Sequence, residues 1–138
     1  MLYMGGIYCV NSAVRICHNQ ITGNTAIGSK GADGADAVYI GGQEGLPGGG
    51  GTSGGNGLGG GVYCDGAAEL SYNLISNNTA AGNEGGRGGR GGPGYHSEGA
   101  GGGSGGSGGI GYGGGIYCAS GDGIPRGVKM TRTYKINT

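Results

Sequence analysis

The sequence predicts an all-β fold: a right-handed parallel β-helix fragment of two to three coils, with glycine-rich, polyproline-II-type hairpin insertions. Three observations predict it. Nearly identical blocks, GGIYC, GGVYC and GGIYC, recur at 5–9, 60–64 and 114–118. Apolar residues within the blocks alternate with the two-residue period of a strand. Between the blocks, glycine falls at every third position over long stretches, and the chain holds 43 glycines in 138 residues.

The first prediction concerns the repeat that contains these blocks. ICHNQITGNTA follows the first block at 16–26, and LSYNLISNNTA follows the second at 70–80. The two copies of this element are one position closer together along the chain than the two blocks are, so the repeat shifts by one position after the cysteine. Three short strands in each repeat cannot bury an inner face alone, but stacking on the next repeat, about 4.8 Å away, covers it. Such stacking makes each repeat one coil of a β-helix.

Equivalent residues of successive coils would lie above one another. This places asparagine over asparagine at two turns, where side-chain amides can bond along the stack. It also places three cysteines in one inward-facing column, in which a thiol acts as a small hydrophobe. All seven are interpreted as structural residues: Asn19 with Asn73, Asn24 with Asn78, and Cys9 with Cys64 and Cys118.

The glycine-rich stretches have two interpretations. A flexible linker would carry glycine without phase, whereas here a three-residue frame runs from 42 to 60 without a miss. The second stretch has two such arms, at 82–94 and 99–114, with a short break between them. Two arms with this period predict an antiparallel hairpin of polyproline-II-type helices, in which glycine lets neighbouring backbones approach. A disordered loop is the alternative.

These patterns predict a single repeat domain with alternating coils and insertions. The boundaries are coil 1 at 5–26, an insertion at 27–58, coil 2 at 59–80, an insertion at 81–112, and a partial third coil with a basic C-terminal segment at 113–138. After Cys118 the asparagine-containing element is not recognisable, so the fold of that last segment is left open.

Composition excludes several functions. The formal net charge is zero, which argues against nucleic acid as a partner. No apolar run approaches the ~20 residues of a membrane span. The start, MLYMGG, lacks the features of a secretory signal, so we expect a piece of a longer, exported chain.

Chemistry-bearing motifs are weak, and the sequence predicts no catalytic residue, metal site or cofactor. Repeated GxGxxG matches follow from the glycine content alone. GADGAD at 31–36 is interpreted as solvated acids rather than a calcium site. The four cysteines lack zinc spacing. Disulfides Cys9–Cys64 or Cys9–Cys17 stay open for an exported protein.

An enzyme of the β-helix type would need clustered acids. Glycoside hydrolysis requires two carboxylates that face one groove, and Asp65 and Glu69 are the only acids on the predicted coils. The chain is therefore predicted to be non-enzymatic.

The GGIYC block and the following Asn-x-Ile-x-x-Asn-Thr-Ala element resemble the β-helix repeats of bacterial extracellular and surface proteins. They are similar to polymorphic outer-membrane protein repeats and, more loosely, to the pectate-lyase-like superfamily. The resemblance covers 5–26, 59–80 and the start at 113–118. It implies an extracellular or cell-surface location and a stalk or adhesin-like role. Family repeats follow one another almost directly, whereas here about 30 glycine-rich residues intervene.

That role implies glycans or cell-surface proteins as partners, together with further β-helix coils of a longer chain or self-association through open coil ends. The insertion tips are the candidate contact residues, since insertions in solenoids project from one face: Tyr39, Ile40, Tyr95 and His96. Two alternatives stay open. One is a carbohydrate-active β-helix enzyme, a polysaccharide lyase or hydrolase, whose active site lies outside this piece. The weaker one is a glycine-rich ice-binding protein.

Overall fold

A computed structural model describes residues 5–10, 13–38, 45–94, 98–119, 129–131 and 134–136. These residues contain thirteen β-strands and no helix, and every strand pairing among them is parallel. The predicted all-β class is confirmed.

The strands fall into three sets that follow the sequence repeat. The first set is β1 (Ile7–Val10), β2 (Val14–Cys17), β3 (Gln20–Thr22) and β4 (Thr25–Ile27). The second is β5 (Gly57–Leu58), β6 (Val62–Asp65), β7 (Ala68–Ser71), β8 (Leu74–Ser76) and β9 (Thr79–Ala81). The third is β10 (Gly111–Tyr112), β11 (Ile116–Ala119), β12 (Lys129–Thr131) and β13 (Tyr134–Ile136).

Each strand pairs with its counterparts in the other sets. The sheet orders are β1-β6-β11, β2-β7-β12, β3-β8-β13, β4-β9 and β5-β10. Ile7 pairs with Val62, while Val14 pairs with Ala68, one position short of the same offset. The change in register is the single-position slippage that the two sequence blocks show. Equivalent residues of the repeats therefore lie side by side.

The core consists of the alternate residues of these strands. Val62, Cys64, Leu70 and Ile75 are at most 1% exposed, and they form one cluster with Ile16, Ile21 and Ala68. Burying an aliphatic side chain of this size contributes roughly 1.5–3 kcal/mol. The middle set of strands is the best buried because β6, β7 and β8 each have a neighbouring strand on both sides.

Left-handed backbone marks the turns before the asparagines. His18 and Tyr72, at equivalent positions, have φ of 58° and 55°. Gly23 and Asn77, also equivalent, have φ of 69° and 53°. Left-handed φ costs a residue with a side chain about 1–2 kcal/mol. Each of these residues immediately precedes an asparagine whose side chain bonds the turn, as described below.

Two strand positions were not predicted from the sequence. Thr25–Ile27 and Thr79–Ala81 form a fourth strand in each repeat, and the central Ala26 is fully buried. Alanine gives too weak an apolar signal to reveal a strand. Gly57–Leu58 and Gly111–Tyr112 also pair as strands, although the glycine frame assigns both segments to the insertions.

The last segment also contains strands that sequence comparison missed. Lys129 pairs with Glu69, and Lys135 pairs with Ile75. Both pairs are further apart along the chain than Glu69 is from Arg15, its partner in the first repeat. The longer connection takes these strands out of the repeat period, and their sequences lack the asparagine element.

The chain forms two compact units. The first unit contains all the strands and lies within Met1–Gly28, Asn56–Ala81 and Ile110–Thr138. The second unit consists of Ser29–Gly55 and Gly82–Gly109. It has no strand among its described residues, and its backbone hydrogen bonds follow a different pattern, set out below.

Candidate functional site

Tyrosine side chains form a ladder on the strand unit. The rings of Tyr8 and Tyr63 stack with centroids 4.7 Å apart, and those of Tyr63 and Tyr117 with centroids 5.6 Å apart. Tyr112 adds a tilted contact with Tyr117 at 5.8 Å. Burial raises the pKa of Tyr63, and the nearby Asp65 carboxylate adds to it. The middle ring of the ladder is stacked on both sides, whereas Tyr8 and Tyr112 stay exposed.

A second stack joins His18 to Tyr72, with centroids 4.9 Å apart and planes 12° from parallel. Both residues have the left-handed backbone of the turn that precedes an asparagine. The stack therefore places the side chains of two strained residues against each other.

The asparagines at these turns bond across the repeats. The Nδ2 of Asn19 donates to the Oδ1 of Asn73 at 3.3 Å, and that of Asn24 donates to the Oδ1 of Asn78 at 3.0 Å. Each acceptor oxygen also receives the backbone N–H of the first asparagine at 2.9 Å. The structure thus brings together the residues that the sequence pairs.

Cys9, Cys64 and Cys118 occupy one register position of neighbouring strands. All three, and the exposed Cys17, are free thiols, so neither Cys9–Cys64 nor Cys9–Cys17 is bonded. Burial, the neighbouring Cys9 and Cys118, and a hydrogen bond with Cys9 raise the pKa of Cys64 to about 12. Burial also raises the pKa of Cys118. These shifts favour the neutral thiol, which is a poor nucleophile and metal ligand.

An ion pair connects the first two repeats. Arg15 Nε lies 3.4 Å from Glu69 Oε2. Arg15 and Glu69 border a shallow surface depression, whose other lining residues are uncharged: Ala13, Val14, Ala67 and Ala68. The depression therefore contains one carboxylate, and that carboxylate is engaged by an arginine.

The second unit consists of four extended segments, named here arm 1 (29–38), arm 2 (45–55), arm 3 (82–94) and arm 4 (98–109). Backbone hydrogen bonds connect them at every third residue. Arms 1 and 2, 2 and 3, and 3 and 4 run antiparallel, and representative bonds are Gly49 N–H to Ala35, Gly86 N–H to Thr52 and Gly106 N–H to Gly86, each 2.8 Å.

Equivalent arms of the two insertions run parallel. Gly34 of arm 1 donates to Arg87 of arm 3 at 2.7 Å, and Gly51 of arm 2 donates to Ser104 of arm 4 at 2.8 Å. The arms are thus connected both within and between the two insertions.

Glycine is sterically required at most points where the arms meet. A Cβ on Gly31 would overlap the carbonyl of Thr52, and one on Gly89 would overlap that of Ala35. In arm 4, however, the required frame is not the one singled out from the sequence. A Cβ on Gly106 would overlap the carbonyl of Thr52, whereas one on Gly105 would meet only the Gly86 oxygen, at 3.5 Å.

The acids of GADGAD have backbone partners. Asp33 Oδ1 accepts the N–H of Arg87 at 2.8 Å, and Asp36 Oδ1 accepts that of Arg90 at 2.7 Å. One turn earlier, Lys30 Nζ lies 3.9 Å from Glu84 Oε2. In the part of the chain that the structure describes, no group of three histidine, cysteine or acidic side chains could hold a metal ion.

The predicted tip contacts, Tyr39, Ile40, Tyr95 and His96, lie outside the described residues. They remain a prediction.

No family model, curated protein or solved structure matches the chain. Within the described ranges, no helix has the length and apolar character needed to cross a membrane.

Proposed function

We propose that this chain is a non-enzymatic structural segment of a bacterial extracellular or cell-surface protein, a rigid stalk or adhesin-like scaffold. Its strand unit would be a right-handed parallel β-helix fragment, and its glycine-rich unit a bundle of polyproline-II-type hairpins. In-register pairing of every repeat with the next supports the first assignment. Hydrogen bonds at every third residue support the second, since that helix has three residues per turn.

One observation carries the functional proposal: the polar side chains named here form hydrogen bonds or ion pairs with the neighbouring repeat. Asn73 and Asn78 bond their counterparts, Asp33 and Asp36 accept backbone N–H groups, and Arg15 pairs with Glu69. An active site needs such groups poised towards a substrate instead. Groups engaged between repeats stiffen the stack, which suits a scaffold.

Three measurements test this role. First, the purified chain is incubated with pectin-like polysaccharides, and new reducing or unsaturated ends are followed. We expect none, and steady release of such ends would overturn the non-enzymatic assignment.

Second, the chain is pulled at its two ends in an optical trap. A scaffold of ordered arms and stacked strands should hold its length and then open in discrete steps. A smooth extension over the length of the glycine-rich segments would show that they are linkers and that the chain is not a rigid stalk. Third, beads coated with the chain are tested for adhesion to glycan arrays and to host cells.

A further inference from the structure

The glycine-rich unit has one side on which backbone donors have no acceptor among the residues that the structure describes. In arm 1, Gly31 and Gly34 donate to the carbonyls of Glu84 and Arg87 in arm 3. Their counterparts one repeat later, in arm 3, are Gly85 and Gly88, and neither has an acceptor among the described residues. Gly91 completes this row.

Arm 4 has a second row of the same kind. Gly51 and Gly54 of arm 2 donate to Ser104 and Ser107 at 2.8 Å. Their counterparts, Gly105 and Gly108, likewise find no acceptor in the described part of the chain. Both residues are exposed, and an added Cβ would meet only one oxygen, at 3.5 and 3.8 Å respectively. The two rows together define the open side of arms 3 and 4.

The opposite side of the unit is closed. Gly86, Gly89 and Gly106 lie where arms meet, and a Cβ on any of them would overlap a carbonyl of the adjacent arm. The corresponding residues of the first insertion are Ala32, Ala35 and Thr52, which carry such a Cβ. The Thr52 hydroxyl also accepts the Ala32 N–H at 2.7 Å. An arm cannot pack there in the same way, so two copies of the chain cannot stack head to tail through this unit.

Charge on arm 3 specifies what the open side would bind. Where arm 1 meets arm 3, residues of opposite charge occupy equivalent positions. Lys30 Nζ lies 3.9 Å from Glu84 Oε2, and the carboxylates of Asp33 and Asp36 accept the backbone N–H groups of Arg87 and Arg90. Arg87 and Arg90 are exposed and three residues apart. An arm laid along the open side would meet Glu84 and then these two positive charges, and the arginines favour acidic residues at the same spacing beside them.

We propose that the open side of arms 3 and 4 binds a glycine-rich polypeptide arm of the Gly-Gly-Asp type. Two glycines in each triplet allow the close approach, and the acid at the third position lies beside Arg87 and Arg90. A second copy of this chain does not fit as the occupant. Its arm 1 has the acids but also Ala32 and Ala35, while its arm 3 would set arginines against arginines.

The inference uses only the glycine-rich unit and does not depend on the role proposed above. The test uses the full chain and a fluorescently labelled peptide of five Gly-Gly-Asp triplets, with binding followed by anisotropy. Peptides of Gly-Gly-Lys and Gly-Ala-Asp triplets are the controls for charge and for the required glycine. Only Gly-Gly-Asp should bind, and its affinity should fall as salt rises, because exposed charges are screened.

Variants locate the site. Gly105→Val with Gly108→Val should abolish binding while the circular dichroism spectrum stays unchanged, since both positions have space. Ser104→Val with Ser107→Val, on the same arm, should leave binding intact. Arg87→Gln with Arg90→Gln should weaken binding by about tenfold, the effect of two exposed ion pairs.

Three outcomes would overturn the proposal. They are no binding of Gly-Gly-Asp at millimolar peptide, equal binding of either control peptide, and binding that survives Gly105→Val with Gly108→Val. Light scattering of the chain alone provides a separate check. A dimer that those two valines dissolve would make a second copy the occupant and would also refute the proposal.

Discussion

Asn73 accepts the backbone N–H of Asn19, its counterpart in the preceding repeat, with 2.9 Å between the nitrogen and Oδ1. Its Nδ2 donates to the carbonyl of Ile16 at 2.7 Å. Asn73 is only 1% exposed; its bond to Ile16 is buried and its bond to Asn19 partly buried, so this one side chain satisfies two backbone groups at the turn of the neighbouring repeat. Asn78 does the same for Asn24 and Ile21. The asparagine side chains therefore connect the backbone turns of neighbouring repeats, in addition to bonding to one another.

Asn73→Ala should destabilise the chain by on the order of 2–3 kcal/mol, because the N–H of Asn19 and the carbonyl of Ile16 lose their partner. The free energy of unfolding in urea measures the loss. Gln20→Ala, at an exposed strand position, is the control and should change stability by less than about 0.5 kcal/mol. Equal losses for the two variants would contradict the role assigned to the buried amide.

Neighbouring glycines of arm 4 should respond differently to alanine. Gly106→Ala places a Cβ against the carbonyl of Thr52 and should cost about 1–3 kcal/mol, as overpacking does. Gly105→Ala has room, and the reduced freedom of the unfolded chain makes it neutral or slightly stabilising. Thermal unfolding of both variants beside the parent checks this. The reverse order of stabilities would show that the arms are packed in another frame.

Amide hydrogen exchange should alternate along arm 3. The N–H groups of Gly86 and Gly89 donate to arm 2 at 2.8 Å and should exchange slowly. Those of Gly85 and Gly88, with no acceptor among the described residues, should exchange fast. Exchange rates by NMR distinguish this pattern from that of a flexible linker, in which protection is absent throughout. Uniformly fast exchange over 82–94 would therefore exclude the bundle.

The sequence predicts this structure best where a residue type has a steric or bonding task in both repeats. Asn19 and Asn73, or Ile7 and Val62, can be aligned because their neighbours match. Ala26 sits in a strand that has no such signal, and Lys129–Thr131 lies outside the repeat period.

The glycine frame of arm 4 shows a different limit. Gly105 and Gly106 are indistinguishable in sequence, and only the position of the Thr52 carbonyl tells which one is required.

The pairing of opposite charges between arms 1 and 3 also depends on aligning the two repeats. Opposite signs at Lys30 and Glu84, or at Asp33 and Arg87, are visible only once the two insertions are aligned one repeat apart. Sequence comparison within the strand blocks supplies that offset, but the pairing itself depends on arms 1 and 3 running parallel. Parallel pairing of the arms is a property of the folded unit, and the glycine period alone permits either direction.

Alkaline pH should destabilise the chain through Cys64. Its pKa is raised from an ordinary value of 9.0 to about 12 by burial and by the adjacent Cys9 and Cys118. A raised pKa means that the folded state holds the thiol proton more tightly than the unfolded state. The resulting stability is complete below about pH 9 and is lost as pH rises towards 12, by up to about 1.4 kcal/mol per pH unit.

Urea unfolding at pH 8 to 11 measures this slope in three chains: the parent, Cys64→Ala and Cys17→Ala. Cys64→Ala should start less stable, since it leaves a cavity, but should lose less stability as pH rises. Cys17 is exposed, so Cys17→Ala should keep the parent's slope. The raised pKa values of Tyr63 and Cys118 act in the same direction in all three chains, so the difference between slopes isolates Cys64. Parallel curves for Cys64→Ala and the parent would mean that this thiol is not held in its neutral form by the fold.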